Sequence, residues 1–349
     1  MNPEPLRIEP TFSPRLWGSR TLAPIYPEIT NLAEPIGEAW LTDVSCRLTT
    51  GHFAGKTLAD AWKEMPPDWR GANSAEPGDF PLLLKFIFPT DKLSIQVHPN
   101  DAYAGVHEKA AGGRGKTEMW HVVSAVPGAR LFAGLKPGTT REAFRQAIAS
   151  QSLETLLQSH ETRAGDTFYI PAGTPHTIGP GMILCEVQQY SDLTYRVYDY
   201  GRVDAHGQPR ELHIEKALEV MNFSGVATEK TSGLSLPSAV GSKSLLAACK
   251  YFAVERWSFE SPFSSPSHLT YFELLAILSG RGSLHSAAGV SNYSPGECWL
   301  IPASLGMFEF RPAEHTTVIR AYVPNLFILS QQLYRVGFTD EQLTPVIFG

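Results

Sequence analysis

Four residues between positions 96 and 176 carry side chains suited to a divalent cation. They are Gln96 and His98 in LSIQVHPND, Glu118 in GKTEMWHV, and His176 in GDTFYIPAGTPH. Gln96 and His98 sit two apart in an alternating run, with Leu93, Ile95 and Val97 set against Ser94, Gln96 and His98. On a β-strand, residues i and i+2 share a face, so one face is apolar and the other presents a hydroxyl, an amide and an imidazole. Such a row, once buried, needs partners, and a cation supplies them. Two imidazoles, one carboxylate and one amide oxygen suit zinc or a similar divalent ion, with a position left for water. One ligand charge leaves the ion net positive, able to polarise an oxygen of a bound molecule. Each piece has an ordinary alternative: a solvated strand face, a surface Glu at a strand end, a His in a proline turn. The combination is what points to a metal.

The chain has 349 residues, enough for two domains, and 43% hydrophobic against 18% charged residues mark it as globular. Its 29 Gly and 27 Pro fall between short apolar runs, which favours a turn-rich β architecture. A net charge of −6 argues against a nucleic-acid surface, so an anionic ligand would need a local cluster of Lys and Arg. Cys46, Cys185, Cys249 and Cys298 are widely spaced and form no C-x-x-C, consistent with reduced thiols in the cytoplasm. No apolar signal core opens the sequence and no window approaches a membrane span, so a soluble cytoplasmic protein is expected.

The elements that must carry the four residues follow from pattern. Strands are expected at 81–88, 93–98, Thr167–Ile170 and Met182–Gln189, after an N-terminal strand and loop. Helices are expected from 56 until the double proline, from Thr139 or Thr140 onward, and at 213–223. Residues 229–243 are Ser/Gly-rich without periodicity and read as a linker between a first domain, 1–228, and a second, 244–349. Gly165-Asp166-Thr167-Phe168-Tyr169-Ile170-Pro171-Ala172 is echoed by Gly296-Glu297-Cys298-Trp299-Leu300-Ile301-Pro302-Ala303, and Glu118 with its apolar run by Glu273 with its own. The repeat puts Met307 where His176 stands and offers no second Gln-x-His. Two copies of one β-fold, with ligands in the first alone, account for this.

In order and spacing, LSIQVHPND, GKTEMWHV, GDTFYIPAGTPHTIG, EVQQYSDLTYRVYDYGR and PRELHIEKAL resemble the type I mannose-6-phosphate isomerases of the cupin superfamily, in their compact bacterial form. The resemblance implies a mainly β protein: two cupin (jelly-roll) domains, a few helices packed around the N-terminal catalytic one, and a degenerate second cupin. It implies Gln96, His98, Glu118 and His176 as metal ligands, one zinc or another divalent ion per chain, and a phosphosugar as partner. The implied reaction interconverts mannose 6-phosphate and fructose 6-phosphate. One departure is Gly37-Glu38-Ala39-Trp40-Leu41, where family members often carry a second acid in place of Leu41.

Aldose–ketose isomerisation moves a proton between C1 and C2 through a cis-enediol. It needs an acid/base group, stabilisation of the enediolate oxygen, and a grip on the phosphate. Glu186, on a strand face with Leu184 and Gln188, is the expected base, a setting that raises a carboxyl pKa. Arg196 is expected near the reacting oxygens, with a salt bridge to Asp192 or Asp199 as its structural alternative. Lys116, two residues before Glu118, is expected to hold phosphate or assist proton transfer. Ser94 and Arg202 are further candidates for substrate contact. His107, His121, His206 and His213 are read as structural or solvated, and Trp120 and Tyr169 as core. The alternatives are a metal-dependent dioxygenase, whose first strand would typically read His-x-His, a non-catalytic sugar-binding or regulatory cupin, and an isomerase of a different phosphosugar. The oligomeric state is left open.

Overall fold

The computed structural model describes residues 2–74, 78–203, 207–224 and 228–349. Four antiparallel sheets stack in order. The outermost on one side has five strands: Tyr195–Tyr198, Ile95–Val97, His176–Ile178, Arg130–Leu135 and Leu157–Glu161. Against it lies a six-stranded sheet: Thr11–Ser19, Ile36–Trp40, Leu82–Ile87, Met182–Gln189, Glu118–Ala125 and Thr167–Ile170. The second half repeats the plan with a seven-stranded sheet, centred on Glu273–Ser279 and Thr316–Tyr322, and a four-stranded one. Each half is a sandwich with its own core, Ile87, Trp120, Val122, Phe168 and Leu184 in the first, Trp257, Leu275, Trp299, Phe310 and Val318 in the second. This is the expected pair of jelly rolls.

The six- and seven-stranded sheets also pack back to back. Leu82, Leu84, Phe86, Met119, Cys185 and Val187 meet Leu246, Val254, Leu274, Ala276, Leu300 and Ile319 in one continuous core. Both central sheets are therefore covered on both faces, which is why Met182–Gln189 and Thr316–Tyr322 are buried along almost their whole length rather than at alternate positions. Helices Arg141–Ala149 and Ile214–Val220 cover the outer face of the five-stranded sheet through Phe144, Ala147, Ala217 and Leu218.

Strands Thr167–Ile170 and Met182–Gln189 have the expected bounds. The helix expected from residue 56 is two short ones, Leu58–Glu64 and Pro67–Arg70, because Pro66 lacks the N–H to continue the first and Pro67 suits the first position of the second. Two short strands join the second half's sheet from outside residues 244–349. Within 229–243, Leu234–Leu236 forms an edge strand antiparallel to Ser242–Ala248, where buried Leu234 packs on Leu245 and Leu333. Its two leucines, spaced i, i+2, are the whole signal, too short to stand out among Ser and Gly. At the other end Leu6–Ile8, assigned to the first domain, pairs with Cys298–Ile301 of the second.

The repeat is structural. Glu118 lies opposite Ile170 and Glu273 opposite Ile301 in the same register. Each Ile-bearing strand follows a glycine in the left-handed region, Gly165 at φ 93° and Gly296 at φ 83°, where a side chain would be strained.

Because the two halves share a core, the chain should unfold in one transition, with circular dichroism and tryptophan fluorescence superimposing. Leu274→Ala, a cavity in that shared core, should lower the stability of the whole by about 2–5 kcal/mol in denaturant titrations. Two separated transitions, with only one displaced by the substitution, would contradict this.

Candidate active site and metal centre

Strand register divides the interior of the first sandwich into a dry end and a charged end. Along Met182–Gln189 the inward residues run from Leu184 to Glu186 to Gln188. Antiparallel to it, Val122, Trp120 and Glu118 lie at the matching levels. Lys85 stands opposite Glu186 on the other side. Across the gap, Gln96 is flanked by His176 on one neighbouring strand and Arg196 on the other. Two cross-strand rows of polar side chains thus face each other over a core closed at its far end by Ile87, Val122 and Leu184.

Glu118 is the anchor of the arrangement. It is 1% exposed, and neither of its carboxylate oxygens accepts a hydrogen bond. His176 Nε2 stands 3.4 Å from Oε1 and His98 Nε2 3.7 Å from Oε2. His98 Nδ1 donates to the Leu193 carbonyl at 2.7 Å and His176 Nδ1 to the Thr174 carbonyl at 2.9 Å. A carbonyl can only accept, so both ring protons are on Nδ1 and both Nε2 lone pairs point inward at the carboxylate. Burial holds both imidazoles neutral, His98 well below its ordinary pKa with help from Lys116, and His176 at about 4. Two neutral imidazole nitrogens and an orphaned carboxylate are a cation site by chemistry as well as geometry; His98, Glu118 and His176 lie close enough to share one ion. Gln96 lies beside the set, its amide Nε2 3.2 Å from His176 Nε2 and its Oε1 accepting from Ser94 Oγ at 3.2 Å.

Lys116 Nζ is 3.2 Å from Glu118 Oε2 and 3.3 Å from His98 Nε2. Burial opposes its charge, but Glu118, Glu186 and Asp192 outweigh that and raise its pKa. Glu186 is buried beside it. Trp120 Nε1 donates to its Oε1 at 2.9 Å, and Lys85 Nζ stands 3.7 Å from its Oε2. Burial first, and the Glu118 charge second, push the Glu186 carboxyl above the ordinary carboxylate range.

Above these residues opens a cavity of about 250 Å³. Ser94, Gln96, Lys85 and Lys116 border it toward the metal cluster, Trp17 and Leu93 give it an apolar side, and Arg15, Arg196, Arg210, Glu38 and Asp192 are charged around it. Five cations against two carboxylates make this a locally positive site in a chain of net charge −6. Arg196 donates through Nε to Ser94 Oγ at 3.2 Å and through Nη1 to the Glu211 carbonyl at 3.1 Å. Among the described residues no carboxylate pairs with it, so neither Asp192 nor Asp199 holds it. Burial and the nearby Arg210 charge lower its pKa.

Of the expected site residues, Gln96, His98, Glu118, His176, Lys116, Glu186, Arg196 and Ser94 come together. Arg202 does not line the cavity. It binds Asp199 at 2.6 Å and the Lys92 carbonyl, which makes it a brace for the loop behind the arginines. Three cations of the cavity escaped the sequence reading: Lys85, Arg210 and Arg15. Lys85 had a visible signal, a lone charge in the apolar strand Leu82–Ile87, every residue of which is buried. Trp120 is core, as expected, and also donates to Glu186. His107 stacks on Tyr103, His121 is buried against Thr167, and His213 meets the Arg196 backbone. None of the three joins the metal cluster, and His206 lies outside the described residues.

Two stacked cupins, one with a buried cation site under a basic cavity, define a bicupin metalloprotein. A sequence profile of the type I phosphomannose isomerase catalytic domain matches residues 6–119. The chain is 36% identical over 310 residues to a probable mannose-6-phosphate isomerase of Bacillus subtilis, GmuF, covering 87% of this chain and 95% of that one. It is 34% identical over 314 residues to the mannose-6-phosphate isomerase ManA of the same organism, covering 88% and 96%. The crystal structure of a B. subtilis mannose 6-phosphate isomerase superimposes with a TM-score of 0.82 at 28% identity, covering 91% of this chain and 99% of that one. A mannose 6-phosphate isomerase solved with zinc bound shares the fold, with a TM-score of 0.73 at 18% identity. The chain belongs to the mannose-6-phosphate isomerase family.

Glu118→Gln should abolish tight zinc binding, because a neutral amide cannot supply the one charged ligand. Metal content after dialysis is the readout: a full equivalent of zinc retained by the variant would remove Glu118 from the ligand set.

Proposed function

We propose that this protein interconverts mannose 6-phosphate and fructose 6-phosphate in the cytoplasm, with one zinc ion held by Gln96, His98, Glu118 and His176. The observation that carries the reading is the buried Glu118 carboxylate between two inward-facing imidazole nitrogens, set beneath a cavity rich in cations. When bound, zinc supplies Lewis acidity toward a sugar oxygen. The chain's own residues do the rest.

The arginines at the cavity, Arg196, Arg210 and Arg15, hold the phosphate. Arg210 is oriented by Asp199, which accepts from its Nε at 2.7 Å, and Arg15 by Glu38 at 2.6 Å. With the phosphate at that end, C1 and C2 extend toward Lys116, Lys85 and the metal ligands. Lys116, kept protonated, faces the oxygen on which negative charge grows as the cis-enediol forms. Glu186 takes and returns the proton. It sits behind the cavity wall with Lys85 between, so Lys85 and Glu186 act as a pair: the Glu186 carboxylate takes a proton from Lys85, the free amine so formed removes the proton from one sugar carbon and returns it to the other, and Glu186 then gives its proton back to Lys85. The raised carboxyl pKa suits this task, and its first cause, burial, persists with an ion in place. Four buried free cysteines accord with a reducing compartment.

Turnover of mannose 6-phosphate to fructose 6-phosphate, lost on chelation and restored by zinc, is the expected result; a fully metallated protein without turnover would overturn the substrate assignment. Glu186→Gln should lower kcat by about 10²–10⁴-fold at unchanged zinc content. The working form of Glu186 is the carboxylate, so kcat/KM should fall as pH drops through its raised pKa, giving an acid limb above the ordinary carboxylate range. In Arg210→Ala, loss of a charged phosphate contact should raise KM by roughly 10-fold or more with kcat little changed.

A further inference from the structure

The segment that carries Lys116 into the site is held from the other domain. Three consecutive backbone N–H groups precede Glu118, and each has a partner. Gly115 N donates to Asp101 Oδ1 at 2.8 Å, Lys116 N to the Pro99 carbonyl at 3.0 Å, and Thr117 N to Gln189 Oε1 at 2.8 Å. Asp101 and Gln189 are themselves joined, Gln189 Nε2 donating to Asp101 Oδ1 at 2.9 Å. The remaining oxygen, Asp101 Oδ2, accepts from the Tyr251 hydroxyl at 2.6 Å. Tyr251 lies in the turn between Ser242–Ala248 and Ala253–Phe259, two strands of the second sandwich. The segment also runs tight against the chain it is tied to: a Cβ on Gly115 would meet Asn100 C and Asp101 N at 2.6 Å.

We propose that Asp101 and Tyr251 are positioning residues for the isomerisation, and that this is one task of the metal-free second domain. Tyr251 fixes the Asp101 carboxylate, Asp101 fixes Gly115 and Gln189, and Gln189 fixes Thr117, so the backbone on either side of Lys116 is set from outside the catalytic sandwich. Lys116 Nζ stands 3.2 Å from Glu118 Oε2 at the cavity wall, and a slack backbone would let it swing away. This rests on the reading of Lys116 given above.

The test is steady-state kinetics on the zinc-loaded full chain, with thermal melting and metal content in parallel, for Tyr251→Phe, Asp101→Ala and Asp101→Asn. Displacing a catalytic group by about 1 Å costs on the order of 100-fold, so Asp101→Ala should lose roughly that in kcat, and Tyr251→Phe about 10-fold, each with KM and zinc content near wild type. Asp101→Asn should recover most of the rate, because its amide oxygen still accepts from Gly115 and Gln189 while its NH₂ donates to the Tyr251 oxygen. A purely structural role predicts a lowered melting temperature with wild-type kcat per folded molecule, and that result would overturn the proposal. Lys116→Met, measured alongside, separates the two ideas. Full activity in it removes the premise, whereas an inactive Lys116→Met with wild-type kcat in Tyr251→Phe and Asp101→Ala overturns the relay alone.

Discussion

A carboxylate buried with one ammonium and no neutral donor beside it is the constraint around which the first half of this molecule is arranged. Leaving an ionised Glu in a low-dielectric interior costs several kcal/mol unless a charge or a ring of donors compensates it. Glu118 is denied neutral donors by its position. Its strand neighbours on the same face are Trp120, whose indole N–H is spent on Glu186, and Gln188, whose amide donates to backbone carbonyls. What remains within reach are two imidazole nitrogens with their lone pairs turned inward and one ammonium. The deficit is met by a cation, and the chemistry of the site follows from where that cation must sit.

The same register that creates the deficit supplies the reaction's other parts. Because inward side chains recur at every second residue, the Glu118 level on one strand fixes the Glu186 and Lys85 levels on the next two. The Gln96 level likewise fixes His176 and Arg196 on the facing sheet. No loop has to fold over to assemble the site. Its phosphate end differs, since Arg210 lies outside the strands and is aimed by its bond to Asp199.

How much of this was legible in the sequence depended on whether a residue's meaning was local. That Gln96, His98, Glu118 and His176 come together was readable because each lies in a strand or turn whose geometry is set by its neighbours, alternation around Gln96 and His98, a proline turn before His176. Lys85 was not, because its role comes from the strands on either side; in the sequence it is one lysine interrupting leucines. Arg202 and Arg210 show the opposite failure. Both lie near Asp199 and look interchangeable, and only the path of the backbone decides which guanidinium braces the loop and which faces the cavity. Two short strands were illegible for a related reason: Leu6–Ile8 and Leu234–Leu236 are too short to announce which sheet they join.

The second sandwich holds counterparts of three charges of the first, two of them with the sign exchanged. By strand register, Arg320 occupies the level of Glu186, Glu255 that of Lys85, and Glu273 that of Glu118. Arg320 Nη1 binds Glu255 and Arg320 Nε binds Glu273, both at 2.7 Å. A guanidinium tethered by its own side chain thus does for Glu273 what a diffusible ion does for Glu118. The consequence is one of descent. A stepwise path between the two arrangements passes through a buried charge with no partner, at a cost of about 3–5 kcal/mol for each broken pair. With most proteins only 5–15 kcal/mol from unfolding, such intermediates are selected against. Among the described residues the His98, Glu118 and His176 group of the first sandwich accordingly has no counterpart in the second, whose buried charges are balanced by side chains.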